Sequence, residues 1–300
     1  MMKYFTFILF FLLLSALSCK NNQSSAETVI EDNPDAKTEE PKLPTATFIS
    51  ETLELTHCES AVYDESNDVI YASLIGNKEV GDGTVAKLDT YGKVIKKDFV
   101  AELNDPKGVA ITKDKLYVSD VTELVEADLK TGEVIKKYTM DSIRFLNDVA
   151  IDKLGNVFVS DTHASKIYKL DKEGNFDLWL ADKALDNPNG LLIQGETMYV
   201  ASWGGQPDGG RVSKIEMGSK SIDSISTVIG NLDGIRPYDK DHMIISDWNS
   251  GNIHLIDYNG TTQKVLTVGQ SVGDIAFVKN KNLLLLPMNK QSRLLFYELK

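Results

Sequence analysis

Leu146-Asn-Asp-Val-Ala-Ile-Asp152, followed after a short polar turn by Gly155-Asn-Val-Phe-Val-Ser-Asp161, is the stretch on which the fold turns. A small or polar residue leads into a short apolar strand. A turn follows, and then a second apolar strand that ends in Ser-Asp. The same order recurs on both sides: Ser60-Ala-Val-Tyr63 with Val69-Ile-Tyr-Ala-Ser73, Gly108-Val-Ala-Ile111 with Leu116-Tyr-Val-Ser-Asp120, and Gly190-Leu-Leu-Ile193 with Met198-Tyr-Val-Ala-Ser202. Gly234-Ile-Arg-Pro237 with Met243-Ile-Ile-Ser-Asp247, and Asp274-Ile-Ala-Phe277 with Leu283-Leu-Leu-Leu-Pro287, complete six copies. Their starts are roughly 40 to 48 residues apart, the spacing of a propeller blade.

Third strands follow, as in Lys166-Ile-Tyr-Lys-Leu170 and Asn252-Ile-His-Leu-Ile256. Turn pairs such as Tyr91-Gly92, Thr131-Gly132, Glu173-Gly174 and Asn259-Gly260 then lead to a fourth. Long helical periodicity is absent. The expected fold is all-β: a six-bladed propeller of four-stranded blades over residues 46–300. The last copy runs out after three strands at Leu294–Leu299, and Thr47–Leu55 is the spare strand that would close the ring. Two β-sandwiches are the alternative, which the even repeat disfavours.

Upstream, Lys3 precedes an apolar run from Phe5 to Leu14, then Ser15-Ala-Leu-Ser18 and Cys19. This is the order of an export signal, too short for a transmembrane helix of roughly 20 residues. Residues 1–18 read as a signal peptide, and the cysteine after Ala-Leu-Ser resembles a bacterial lipobox. Cys19 is therefore the expected lipidation site, which would hold an exported protein on a membrane at the periplasmic face or cell surface. Residues 19–45 are rich in Asn, Ser, Glu and Pro, and read as a tether too polar to bury a core.

The 44 acidic residues outnumber the 32 basic ones, giving a net charge of −12. That argues against a nucleic-acid partner, which needs clustered Lys and Arg. Cys58 is the one cysteine besides Cys19 and reads as a small buried side chain. There is no nucleophile elbow, phosphate loop or His-Glu-x-x-His motif. Trp203-Gly-Gly205 is glycine-rich, but no helix follows it.

The residue just before the first strand of each copy should stand at the mouth of the central channel. Through the six copies it is Glu59, Lys107, Asn147, Asn189, Asp233 and Gly273. Two carboxylates and two carboxamides converging on one axis form a hard oxygen set, suited to Ca²⁺, Mg²⁺ or Mn²⁺. A solvated polar ring or a set of turn caps is the competing reading. Loops after the second strands should open on the same face. They carry His163, Trp203, Trp248 and Met288, which would wall a small-molecule pocket.

Cys58-Glu59-Ser-Ala-Val-Tyr-Asp-Glu65, Phe145-Leu-Asn147-Asp148, Pro188-Asn189-Gly190-Leu191 and Leu232-Asp233-Gly234 resemble signature positions of the gluconolactonase, regucalcin and luciferin-regenerating-enzyme-like family of six-bladed propellers. The resemblance covers nearly all of the chain after the tether. It implies that Glu59, Asn189 and Asp233 hold a divalent cation, Ca²⁺ first, with Mg²⁺, Mn²⁺ and Zn²⁺ as alternatives. It further implies that Asn147 binds metal or substrate and that Asp233 is the candidate base.

There are departures from the family pattern. Ala61 stands where a proline is common. The family's substrate-binding arginine stands two residues before the asparagine, whereas Arg144 stands three before Asn147. Lys107 adds a positive charge to the ring, to pair with a carboxylate or touch an anionic substrate.

The expected function is thus a metal-dependent hydrolase of a lactone or similar cyclic ester. Asp233 would be catalytic, and Asn147, Lys107, Trp203, Trp248 and His163 would contact substrate. The third copy also resembles an NHL repeat, which keeps open a non-catalytic propeller that binds a small ligand or protein, with any metal structural.

Overall fold

The computed structural model describes residues 43–300. The expected export signal, the expected lipidation site Cys19 and nearly all of the expected tether lie outside the described residues. The described chain folds into six antiparallel sheets of four strands each, with three single-turn 3₁₀ segments between strands. Five sheets take their strands in sequence order. Their innermost strands are Cys58–Asp64, Pro106–Ile111, Leu146–Ile151, Pro188–Gln194 and Leu232–Pro237. The sixth begins with Ala276–Val278 and ends on a strand from the other end of the chain. Each innermost strand packs against its neighbour in the next sheet, and the sixth packs against the first, so the six blades form a closed propeller.

The closing strand is Ala46–Thr52, antiparallel to Arg293–Leu299, with Ala46 opposite Leu299 and Thr52 opposite Leu294. It stops short of the expected Leu55, because the chain turns through a left-handed residue at Glu54 (φ 61°). Closure leaves no open sheet edge at the seam. Ala276, Leu285 and Phe296 of the sixth blade share one apolar cluster with Cys58, Ile70 and Ala72 of the first.

The core lies between blades. Second strands such as Val69–Leu74 and Leu283–Met288 are buried along their whole length. Both of their faces meet a neighbouring sheet, which is why they read as unbroken apolar runs. Fourth strands such as Val134–Thr139 are mostly exposed and carry the lysines. Gly92, Gly132, Gly174 and Gly260 take φ between 81° and 93°, the left-handed backbone that fits glycine. An aspartate opens each of these turns. Asp257, for example, accepts the Asn259 and Thr261 amides at 2.8 and 2.9 Å.

The repeated Ser-Asp has two separate tasks. The aspartate hooks the loop that enters its own blade: Asp120 accepts the Asn104 and Asp105 amides, and Asp161 those of Arg144 and Phe145. The serine ties one blade to the next. Ser160 Oγ donates to the Asn189 carbonyl at 2.8 Å, Ser246 Oγ to that of Gly273 at 2.7 Å, and Ser119 Oγ to that of Asn147. These buried bonds fix the backbone of the residues expected at the channel mouth.

Candidate metal and substrate site

Glu59, Lys107, Asn147, Asn189 and Asp233 are each the second residue of an innermost strand, not the residue before it. The strand ladder slips in register at this position in five blades, between Cys58 and Ser60, Pro106 and Val109, Leu146 and Val149, Pro188 and Gly190, and Leu232 and Ile235. Such a bulge re-aims a side chain that regular pleating would turn into a neighbouring sheet. All five side chains border one cavity of about 430 Å³, together with His163, Trp203 and Trp248. The sixth slot is Gly273, where a Cβ would sit 2.2 Å from the Glu59 carbonyl oxygen. Only glycine fits the seam there.

Two residues fall outside the cavity. Met288 is fully buried in the core between the fifth and sixth blades, and its neighbour Asn289 lines the cavity instead. Arg144 is exposed and donates to the Asp141 and Ile143 carbonyls. Phe145 stands two residues before Asn147 and does line the cavity.

Glu59, Asn189 and Asp233 are 4%, 2% and 2% exposed. Each aims one buried oxygen, Glu59 Oε2, Asn189 Oδ1 and Asp233 Oδ1, that no protein group meets. Asn189 points its amide nitrogen the other way, donating to the Leu232 carbonyl at 3.2 Å. Leaving such atoms unmet is costly. Three of them on three blades, in the slots of the expected ligands, fit a hard dication. Among the described residues no three His, Cys, Asp or Glu side chains gather into a cation site on their own. The oxygen set here is mixed carboxylate and carboxamide.

Burial, with the Asp148 and Asp105 charges adding and Lys107 opposing, pushes Glu59 up to about 7. Burial and the charge of Glu59 hold Asp233 well above the usual carboxylate range. Lys107 pairs with Asp105 and lies 4.6 Å from the Phe145 ring centroid. Asn147 Nδ2 donates to Thr162 Oγ1 at 3.2 Å. Cys58 is buried, and burial pushes its thiol up, as suits a packing residue.

A second polar layer lies one step deeper and was not anticipated. Arg236 of the fifth blade reaches Asp274 of the sixth at 2.6 Å and Asp148 of the third at 3.4 Å. Asp148 and Asp274 come from opposite sides of the ring, so the guanidinium spans the channel. Burial works against its charge, but the two carboxylates outweigh that and raise its pKa. Ser60 Oγ donates to Asp274 at 2.7 Å, and Asp148 accepts the Leu191 amide at 2.7 Å. The signal was present in the repeat. Asp148 and Asp274 occupy slots where three copies have glycine, and Arg236 occupies one that is otherwise Val62, Ala110, Ala150, Leu192 and Ala276.

Fold and site together define a closed six-bladed propeller with an oxygen-lined, aromatic-walled mouth. No protein-family model matches the sequence, and no curated protein matches it. Among solved structures, the chain is similar to a luciferin-regenerating enzyme, at 16% identity over 86% of this chain and 95% of that one, TM-score 0.61. It is similar to a gluconolactonase from Xanthomonas campestris, at 14% identity over 86% and 88%, TM-score 0.65. It is also similar to virginiamycin B lyase from Staphylococcus aureus, at 8% identity over 86% and 100%, TM-score 0.61. The first two carry the names of the family that the sequence motifs resemble. At these identities the likeness shows a shared fold.

Proposed function

We propose that the protein is a divalent-metal-dependent hydrolase of a lactone or similar small cyclic ester. The observation that carries this reading is the trio of buried, unmet oxygens on Glu59, Asn189 and Asp233, facing one cavity from three blades. The shared fold with a gluconolactonase supports it. When bound, a dication at these residues would polarise a lactone carbonyl and make a water molecule more acidic.

The chain's own groups do the rest. Asp233 takes the proton of the attacking water as its oxygen bonds to the carbonyl carbon. The ring C–O bond breaks, and the departing oxygen takes the proton back from Asp233, leaving a hydroxy acid. Asn147 and Lys107 orient the substrate from the floor. Trp203, Trp248 and His163 cover it and exclude water.

Calorimetric titration of chelator-stripped protein with Ca²⁺, Mn²⁺, Mg²⁺ and Zn²⁺, followed by a lactone panel, tests the proposal. Binding of one cation per chain with lactone turnover is the expected result. If none binds at millimolar concentration, the hydrolase reading fails and a non-catalytic binding propeller takes its place.

The proposal extends to location: the protein is exported and held to a bacterial membrane through Cys19. Cys19→Ala should release it from the membrane fraction or leave it unprocessed. A variant that fractionates like wild type at unchanged mass would overturn the anchor.

A further inference from the structure

Glu59, Asn189 and Asp233 stand on the innermost strands of the first, fourth and fifth blades. The deeper Arg236 layer grips each of those strands within three residues of its expected ligand. Arg236 itself follows Asp233 by three residues and donates to the Ile235 carbonyl at 2.8 Å. Asp148 Oδ2 accepts the amide of Leu191, two residues after Asn189, at 2.7 Å. Asp274 Oδ2 accepts the hydroxyl of Ser60, the neighbour of Glu59, at 2.7 Å. The Asp274 amide also donates to the Glu59 carbonyl at 2.8 Å.

The two carboxylates belong to the third and sixth blades, and the guanidinium joins them. Its Nη2 reaches Asp274 at 2.6 Å and its Nη1 reaches Asp148 at 3.4 Å. One nitrogen thus serves the Glu59 strand and the other the Asn189 strand. Asp274 Oδ1 has no protein partner, so Arg236 and Ser60 alone fix that carboxylate. Glu59 and Asn189 lie on opposite sides of the ring, three blades apart. Contacts passed from blade to blade connect them around the circumference, whereas the guanidinium connects their strands through the channel. None of Arg236, Asp148 and Asp274 borders the mouth cavity.

We propose that Arg236 is a positioning residue for the cation site: it braces the strands of Glu59, Asn189 and Asp233 across the channel and sets the spacing of their open oxygens. This rests on the reading of those three residues as cation ligands. Ligands held in place bind an ion without first being gathered. Groups behind a metal ligand carry about 10- to 100-fold of its affinity. Charge and position act in opposite directions here. A guanidinium beneath the site repels a dication, so its charge alone weakens binding, while its bracing strengthens it.

The test is calorimetric titration of the chelator-stripped full chain, in detergent, with Ca²⁺ and in turn with Mn²⁺, Mg²⁺ and Zn²⁺. Arg236→Lys keeps the charge but offers one nitrogen in place of a two-pronged fork. It should weaken the ion at the mouth about tenfold or more. Arg236→Met should weaken it as well, although a repelling charge is gone. An ion taken by the freed Asp148 and Asp274 would appear as a second site that survives Asp233→Asn. Ile245→Ala, which opens the core between the fourth and fifth blades, is the control for lost stability. It should bind the ion within about twofold of wild type.

Arg236→Lys that binds like wild type, or Ile245→Ala that loses as much, would overturn the brace and leave the cation reading standing. Tighter binding at the mouth by Arg236→Met would do the same. Wild-type protein that binds none of the four ions would overturn the cation reading and the brace with it.

Discussion

The channel holds two buried layers of acids, one position apart in the blade repeat, and they differ in the cation set against them. In the deeper layer Asp148 and Asp274 face a guanidinium that the chain supplies, and serine and backbone donors fill in around it. In the mouth layer Glu59 and Asp233 are equally buried, yet the ring's one cation, Lys107, is paired with Asp105. Each mouth acid keeps an oxygen without a partner. On the proposed reading, that open pair is where a cation from solution would be held. The difference is the guanidinium, since Asp274 also keeps one oxygen without a partner.

The largest test of that contrast is Arg236→Met. It leaves Asp148 and Asp274 facing each other without their cation, and should cost about 3–5 kcal/mol in urea unfolding at neutral pH. Replacing both acids by asparagine in the same background should recover most of it. If Arg236→Met unfolds like wild type, the deeper layer is not balanced as described.

The mouth should show itself through pH. In metal-free protein Glu59 is held at about 7 against an ordinary 4.5, chiefly by burial. Between those values the folded chain keeps a proton that the unfolded chain has released. Stability that is complete below the ordinary value is therefore lost as pH rises through the window, by on the order of 3 kcal/mol. Asp233, also raised, adds in the same direction. Excess Ca²⁺ displaces the proton and should flatten the profile. Melting curves from pH 4 to 8, with and without Ca²⁺, read this directly.

Asp233→Asn keeps the shape and removes a charge. Cation affinity should fall on the order of a hundredfold, lactone turnover should disappear, and metal-free stability should not decline. Glu59→Gln should weaken the ion for the same reason. Calorimetry separates these from Lys107→Ala, the smallest effect expected. That variant should bind the ion within about threefold of wild type and raise KM for a lactone about three- to fivefold, through loss of the ammonium that lies against Phe145 in the cavity lining.

What the sequence disclosed follows from what repeats. Glu59, Asn147, Asn189 and Asp233 were legible as residues of one cavity because six copies share a register, and five of them carry a polar residue in the same slot. The strands themselves begin two residues earlier than expected, because a bulge at that position cannot be seen in an apolar–polar pattern. Met288 was assigned to the pocket because its copy has the expected length; packing between the fifth and sixth blades claims it instead. Arg236 was passed over for the opposite reason. It breaks the repeat, and a lone exception gains meaning only when Asp148 and Asp274 are known to converge on it from other blades.

The seam has one more consequence. Thr45 and Lys300 exchange backbone hydrogen bonds, Thr45 N to Lys300 O at 2.6 Å and Lys300 N to Thr45 O at 3.1 Å. The two ends of the propeller are thus one ladder rung apart. A short peptide joining residue 300 to residue 45, with the chain opened at the Glu173-Gly174 turn, would give the same circle with a different starting point. Which blade leaves the ribosome first would then become an adjustable variable, separable from the architecture that results.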